Sequence, residues 1–439
     1  MQIKVAGAYT ASRIITNNPT HFRYSRFSEW LYLFIVIYLV VPLIDIPLLG
    51  LSLSAPMFFF VAVEVVRKLR SISLRPFRVY ITLASLIWIG VALSALLNGL
   101  RSGGIAFDRD SILAIVRYAY WLLFFVVSVI FITRSGLTRK IVNILGAGIF
   151  LIALLRLIEV VLYGNVGAWS GTRFFSQNSY GIMFSTFAPF CFSFLLTWKA
   201  RRRWLAVLMA VALLAAILVN GSRGSWIGVG IGSAAMMGVM VIGRPRSFMR
   251  WLIGFGVLAA LAWTLLSVWQ PLNDAVQSRY STFGRLDADK SFAIRQLMNQ
   301  KSWRLFLENP VLGVGPYRFR KESTELELPS ILAYADQSYF DKKSAHNSYL
   351  SFLAETGLAG SVPYGLLIVV LAVRGFVSSV HLAKREIYFG AAVLASFVGM
   401  SLHMWALSSL TNTVTWFIYA LVAVIIVVSQ RIIDASKNV

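Results

Sequence analysis

The chain has 439 residues, of which 58% are hydrophobic and 13% are charged, and its mean hydropathy is +0.72. A composition this apolar excludes an ordinary soluble domain, and long apolar runs in place of weak alternation exclude a transmembrane β-barrel. The net charge of +23 is compatible with a nucleic-acid-binding protein. We reject that interpretation because the basic residues are dispersed among short loops between apolar runs. Runs of about 20 apolar residues, enough to cross a bilayer core as a helix, predict an all-α polytopic integral membrane protein.

Twelve apolar spans are predicted in chain order. They cover residues 30–49, 51–66, 79–98, 111–133, 141–163, 180–198, 203–220, 225–242, 251–269, 347–371, 387–409 and 413–430. The chain therefore divides into a segment 1–29, nine spans over 30–269, a loop over 270–346, three spans over 347–430 and a tail over 431–439. The sequence shows no internal repeat, which disfavours the common secondary-transporter folds.

The basic residues are distributed unequally between the two predicted sides. Most of the 41 lysines and arginines fall at the termini and in loops on one side, whereas the short loops opposite carry Arg101, Arg109, Arg173 and Arg223. This positive-inside bias predicts a multi-pass protein with both termini in the cytoplasm. Residues 1–29 lack an apolar core, so we interpret them as a basic cytoplasmic segment and not as a cleaved signal peptide.

Residues 270–346 form the one long polar segment between spans, and parity places it outside, which is the periplasmic face if the cell is Gram-negative. Connections of this length without a function are uncommon. Apolar residues at helical spacing predict an amphipathic helix over 292–308 that lies on the membrane surface or caps a cavity. These residues are Ile294, Leu297, Met298, Leu305 and Phe306.

The loop ends at His346, directly before the tenth span. We predict Ser344 as the N-cap of that span, and the positive end of the helix dipole favours a neutral imidazole that can accept a proton. The position alone leaves open whether His346 is a general base or an interfacial anchor for the helix end. Asn347, Ser348 and Tyr349 add hydrogen-bonding groups within one turn, and they favour a functional site.

Three arginines are predicted to face the same outer surface as His346. Arg223 lies in the short turn Asn-Gly-Ser-Arg-Gly-Ser, where a guanidinium beside helix-starting amides can bind an anion. Arg173 precedes the sixth span, and Arg295 lies on the predicted loop helix. The alternative for each is contact with lipid phosphates. The glycine-flanked turn favours anion binding for Arg223, whereas for Arg173 both interpretations stay open.

Charged residues also occur inside the predicted spans, where such residues commonly face a bundle interior or a wet cavity. Arg117, in the fourth span, is a candidate for extending the anion site inward. Arg156 and Glu159 are spaced to form a structural ion pair on one helix face. Glu355 lies about 13 Å beyond His346 at about 1.5 Å per residue, so we assign it a buried polar contact.

No metal site is predicted. Asp287 and Asp289 resemble the acidic pair that holds a metal in many sugar-nucleotide transferases, but the flanking Arg285 and Lys290 favour a solvated charge cluster. The remaining histidines are scattered, and the single cysteine lies in an apolar run, which leaves no disulfide or zinc pattern. These residues are His21, His381, His403 and Cys191.

Over about residues 140–375 the chain resembles the O-antigen ligase and O-antigen polymerase superfamily of bacterial envelope enzymes. Three motifs in this order carry the resemblance, with Asn178 after Arg173 at the place of a further polar loop element. The motifs are Gly221-Ser-Arg-Gly-Ser225, then Arg295 with Trp303 and Asn309-Pro-Val-Leu-Gly-Val-Gly315, then His346-Asn-Ser-Tyr-Leu350 with Glu355-Thr-Gly-Leu-Ala-Gly360.

The resemblance implies a GT-C-like glycosyltransferase of the bacterial inner membrane, with about 12 transmembrane helices, one large periplasmic loop and a periplasmic active site. Its donor would be O-antigen on undecaprenyl diphosphate, its acceptor a sugar hydroxyl of the lipid A-core oligosaccharide, and membrane lipids would surround it. His346 would be the general base, with Arg223 and Arg295 on the departing diphosphate, in an inverting reaction without metal or cofactor. Further diphosphate- or substrate-binding residues would be Arg173, Arg117, Asn178, Ser348 and Tyr349.

Other functions share parts of this pattern. O-antigen polymerases and protein O-oligosaccharyltransferases use the same lipid-linked donor and the same motifs. A single dominant external loop favours the ligase, because polymerases often have two. A transporter of a lipid-linked glycan is less favoured, since its essential charges are expected near the bilayer midplane in two matched halves.

Overall fold

The computed structural model describes residues 24–41, 54–101, 109–164, 175–281, 289–334, 336–407, 410 and 412–437. Regular secondary structure in these ranges is helical, without strands. The helices are α1 (Arg26–Val40), α2 (Ser54–Lys68), α3 (Arg78–Arg101), α4 (Arg109–Ser135), α5 (Thr138–Tyr163), α6 (Gln177–Phe192), α7 (Phe194–Thr197), α8 (Ala200–Asn220), α9 (Arg223–Gly243), α10 (Pro245–Val268), α11 (Gln270–Ser281), α12 (Lys290–Glu308), α13 (Gln337–Asp341), α14 (Ser348–Lys384), α15 (Phe389–His403) and α16 (Thr413–Lys437).

Eight segments of the described chain are long and apolar enough to cross a membrane, and they confirm an all-α polytopic membrane protein. They contain α3, α4, α5, α6 with α7, α8, α9, α14 and α16. The other four predicted spans fall on α1, α2, α10 and the shorter apolar helix α15. Part of the first predicted span lies in 42–53, outside the described residues. The total of twelve spans stays a prediction.

The loop between α10 and α14 has a hydrophobic core of its own. The predicted amphipathic helix is present as α12, and its Leu297, Met298 and Leu305 are buried against other loop residues, including Phe340. Lys301, whose side chain is fully buried, bonds the carboxylate of Asp341 at 3.0 Å and ties α12 to the end of α13. The predicted apolar stripe of α12 therefore packs against protein, within the core of the loop.

Helix α14 extends beyond the predicted limit of residue 371 to Lys384, and it is broken at Gly357, where φ is 57° and ψ is −156°. A break leaves backbone groups without their usual helical partners. Residues 310–315 supply these partners. The amides of Val314 and Gly315 donate to the carbonyls of Ala354 and Glu355, each at 2.9 Å.

The other side of the break is closed by the same loop segment. The amides of Leu358 and Ala359 donate to the carbonyls of Pro310 and Val311 at 2.9 and 3.0 Å. From the neighbouring helix α3, Asn98 donates to the carbonyl of Gly313 at 3.0 Å. The Asn309–Gly315 motif therefore locks the loop onto α14 just beyond the first turns that follow His346.

Helices α9 and α15 pack closely against each other through small residues, so the start of α9 lies beside the end of α15. A Cβ on Gly228 would lie 2.9 Å from the carbonyl oxygen of Gly399, and one on Gly232 would lie 2.7 Å from that of Ala395. Small residues at such contacts let helix backbones approach in a membrane. Arg223, the first residue of α9, is thereby brought to the level of His403, the last residue of α15.

Candidate active site

His346 is held in an uncommon backbone conformation before α14. Its φ is 52°, in the left-handed region that few non-glycine residues adopt. Asn347, in extended conformation, is the N-cap, and its side-chain oxygen accepts from the amides of Tyr349 and Leu350 at 3.1 and 3.2 Å. The prediction of Ser344 as N-cap is wrong, because Ser344 lies one turn too early. Its hydroxyl instead lies 3.3 Å from Nε2 of His346.

The imidazole of His346 is kept neutral by its surroundings. Burial lowers its pKa below the ordinary value, and the positive charge of Arg295 acts in the same direction, followed by Arg320 and Lys343. This agrees with the expected charge state, and burial and neighbouring cations act in the same direction as the helix dipole. A neutral imidazole half-buried beside cations can accept a proton from a hydroxyl near neutral pH.

Arg223 forms an ion pair with Asp289, which joins the start of α9 to the start of α12. Asp289 is also the N-cap of α12 and accepts from the amides of Ser291 and Phe292 at 2.9 and 3.2 Å. The Arg223 side chain is 18% exposed and that of Asp289 is 14% exposed. The interpretation of Asp289 as part of a solvated charge cluster is therefore wrong, whereas Asp287 lies outside the described residues.

The pKa of Asp289 reflects this pairing. Burial alone would raise it, but the hydrogen bond and the charge of Arg223, with the amides of the first turn of α12, outweigh burial and hold the pKa below its ordinary value. Arg295 lies in the same electrostatic neighbourhood. Burial lowers the pKa of Arg295, repulsion from Arg223 adds to this effect, and Asp289 opposes it. Asp289 therefore lets two guanidinium groups lie near each other.

A buried polar network supports the turn that carries Arg223. Gln177 donates to the carbonyl of Asn220 at 2.7 Å, and Asn220 donates back to the carbonyl of Gln177 at 3.1 Å. Arg156 and Glu159 form the predicted ion pair at 3.2 Å, with both side chains fully buried, so that prediction is confirmed. The guanidinium of Arg156 also lies 5.7 Å from the ring centroid of Tyr180. The network fixes α5, α6 and the end of α8 beneath the turn.

His403 belongs to this region, although its spacing in the sequence gave no sign of it. It is 2% exposed, and its Cε1 lies 3.1 Å from the position a Cβ on Gly224 would take. Arg295 lies within electrostatic reach of both His403 and His346. The described part of the chain therefore brings two imidazoles, two guanidinium groups and one carboxylate into one cluster. We call Arg223, Asp289, Arg295, His346 and His403 the cation cluster.

Ser348 and Tyr349, predicted as substrate-binding residues, hold α14 against the end of α15 and the segment after it. The Ser348 hydroxyl donates to the carbonyl of Leu407 at 2.6 Å, and the Tyr349 hydroxyl donates to that of Ser401 at 2.9 Å. Asn178 is half-buried in the first turn of α6, beside the residue that bonds Asn220. Substrate binding by these three residues stays a prediction.

Two further predicted charges, Arg117 and Glu355, contact the loop segment around Tyr317. The guanidinium of Arg117 lies 5.6 Å from the ring centroid of Tyr317, so its contact is with the loop. Glu355 accepts from the backbone of Tyr317 and Phe319, which agrees with the buried polar contact assigned to it. Arg173 lies outside the described residues.

Residues that could hold a metal are not gathered in the described chain. No group of three or more His, Cys, Asp or Glu side chains is placed there for joint coordination. Asp289 is occupied by its cap and its ion pair with Arg223. Independence of metal stays a prediction.

The fold and the cation cluster define a polytopic membrane protein with a proton acceptor and two guanidinium groups beside a folded loop. Residues 208–365 match the family model described as O-antigen ligase. This match confirms the resemblance drawn from the three motifs. It supports a function of the O-antigen ligase and polymerase type. No curated protein matches the chain.

Proposed function

We propose that this protein transfers a glycan from undecaprenyl diphosphate to a sugar hydroxyl of the lipid A-core oligosaccharide, on the periplasmic side of the inner membrane. The observation that carries this proposal is the position of Arg295, whose charge acts on His346 and which itself is influenced by the charge of Arg223. A base and two cations in one cluster meet the two chemical needs of the reaction, which are removal of a proton and stabilisation of a leaving diphosphate.

His346 takes the proton from the acceptor hydroxyl. The hydroxyl oxygen then attacks the anomeric carbon, and the bond from that carbon to the diphosphate oxygen breaks. Negative charge develops on the diphosphate as it leaves, and guanidinium groups placed before the reaction stabilise it most effectively. Arg223 and Arg295 supply these groups. A single displacement inverts the configuration at the anomeric carbon.

Asp289 has a supporting role in this scheme. It offsets the repulsion between Arg223 and Arg295 and orients the Arg223 side chain from the start of α12. A guanidinium group has five N–H donors, so Arg223 can bond both Asp289 and a phosphate oxygen. The ion pair therefore positions the cation without excluding the donor.

The test is to identify the product made by the purified protein. Labelled undecaprenyl-diphosphate-linked glycan is incubated with the protein, with and without lipid A-core, and the products are separated by size and by lipid. Glycan attached to the core supports the ligase. Longer glycan on the lipid carrier without core would instead assign an O-antigen polymerase, and the absence of any covalent product would contradict both.

A further inference from the structure

A second set of polar groups lies directly beside His346, where the start of α14 meets the end of α15. The amide of Ser348 donates to the carbonyl of Met404 at 2.9 Å, and the hydroxyl of Tyr349 donates to the carbonyl of Ser401 at 2.9 Å. Asn347 precedes Ser348 and His403 precedes Met404, so the hydrogen bond from Ser348 to Met404 holds the backbones of Asn347 and His403 close together. The two side chains come from segments that the fold holds together at the cation cluster.

The side chain of Asn347 has a donor that the described residues leave unused. Asn347 is 1% exposed, and its oxygen is occupied by the N-cap bonds to Tyr349 and Leu350. Its Nδ2 has no hydrogen-bond partner within the described part of the chain. A buried donor without a partner loses its hydration and gains nothing in return, so such groups commonly serve a ligand or a bound water. This one adjoins the candidate base.

His403 has a matching unused group. It is 2% exposed, and its Nδ1 lacks a hydrogen-bond partner among the residues that the structure describes. The ring also bonds the backbone of Gly224, and Nε2 is the nitrogen left for that bond. Ser401 lies two residues before His403 on α15. Its hydroxyl is a third buried group for which the described residues provide no hydrogen-bond partner. Three unused polar groups thus occur on two adjoining segments.

We infer that Asn347 and His403 bind a hydroxyl of the acceptor sugar next to the hydroxyl that His346 deprotonates. This inference rests on the proposed function. A sugar hydroxyl both donates and accepts hydrogen bonds, so it suits an amide donor together with an imidazole nitrogen. Diphosphate oxygens only accept, and the cations Arg223 and Arg295 already suit them. Asn347 and His403 therefore bind the acceptor sugar, whereas Arg223 and Arg295 bind the diphosphate.

The variants for the test separate ligand binding from structural roles. Asn347→Ser retains an oxygen that caps α14 but has no Nδ2 donor. His403→Gln places its amide near the position of Nε2 and has no polar atom at the position of Nδ1. His403→Asn places its amide near the position of Nδ1 and so retains a polar group for the ligand. Loss of one ligand hydrogen bond corresponds to about a tenfold change in affinity. Thermal unfolding of each purified variant is measured first, and variants that unfold like the wild type are compared.

The measurement is the KM for lipid A-core and the KM for the lipid-linked glycan, with calorimetric binding of lipid A-core in the absence of donor as a second readout. We expect Asn347→Ser and His403→Gln to raise the KM and the Kd for lipid A-core about tenfold and to leave the KM for the donor unchanged. His403→Asn should fall nearer to the wild type. An unchanged KM and Kd for lipid A-core, or an effect confined to the donor, would overturn the inference.

The same experiment distinguishes failure of this inference from failure of the proposed function. If the wild type transfers glycan and the variants bind lipid A-core as the wild type does, the subsite is wrong and the function stands. If the wild type forms no covalent product, the proposed function is wrong. Calorimetry then still decides whether Asn347 and His403 bind the core sugar.

Discussion

The charge state of His346 is set by groups from several parts of the loop. Burial lowers the pKa of the imidazole, and the cations of Arg295, Arg320 and Lys343 lower it further in that order. Catalysis by a general base requires the neutral form, so activity is lost as the pH falls through this pKa. Each removed cation raises the pKa and moves the loss of activity to a higher pH.

Arg320 allows this dependence to be tested without changing a residue of the cation cluster. In Arg320→Gln we expect the acidic limb of the pH profile of kcat/KM to move to higher pH, because one of the charges that disfavour imidazolium is gone. Lys342→Gln is the matched control, since Lys342 is an exposed cation of the same loop that is not among those acting on His346. Superimposable profiles for Arg320→Gln and wild type would contradict the assignment of His346 as the titrating base.

The residues of the site could be predicted from the sequence only where a local motif marks them. His346, Arg223 and Arg295 lie in short patterns at loop and helix ends, and the structure brings these three together. Asp289 also had a local signal, since an aspartate just before an amphipathic helix is a common N-cap. Its neighbouring charges suggested a solvated cluster instead. His403 had no local signal, because its place depends on the close packing of α9 against α15.

At the scale of the helix, the main difference between expectation and structure is the break in α14. The apolar run 347–371 predicts one continuous helix in spite of Gly357, Gly360 and Gly365, because isolated glycines are tolerated in a helix. The break depends on residues 310–315, which bond the amides and carbonyls that flank Gly357. Nothing local in the sequence of α14 reveals that a loop segment about 40 residues earlier fills this gap. The segment around Gly313 and the break at Gly357 together hold the part of α14 that follows His346.

Gly357 and Gly365 provide a matched pair on the same helix. A Cβ on Gly357 would lie 2.5 Å from the backbone of Val311, and the φ of 57° adds strain for any other residue. Gly357→Ala should therefore destabilise the protein by about 2 kcal/mol or more and lower its thermal unfolding midpoint. Gly365 has no atom within 4 Å of its added Cβ, so Gly365→Ala should leave the midpoint close to that of the wild type. Equal midpoints for both variants would show that the break is not a fixed feature of the fold.

At the scale of the whole molecule, composition and hydropathy were sufficient to predict the class of fold. Long apolar runs indicate membrane helices whatever their tertiary arrangement, and eight such segments are present in the described chain. The matched family segment, residues 208–365, covers the turn with Arg223, the loop and the first part of α14. The packing that joins these parts depends on contacts between distant residues, such as Arg223 with Asp289, and could not be derived from the pattern of apolar residues.

The central claim is that His346 acts as the base in glycan transfer from a lipid diphosphate. The most direct measurement is the rate at which purified wild type, His346→Ala and His381→Ala transfer labelled glycan from undecaprenyl diphosphate to lipid A-core. His381 is a histidine at the far end of the same helix, so its substitution is the matched control. We expect a loss of about 10²–10⁴-fold in His346→Ala and near wild-type rates in His381→Ala. Wild-type transfer by a folded His346→Ala protein would contradict the claim.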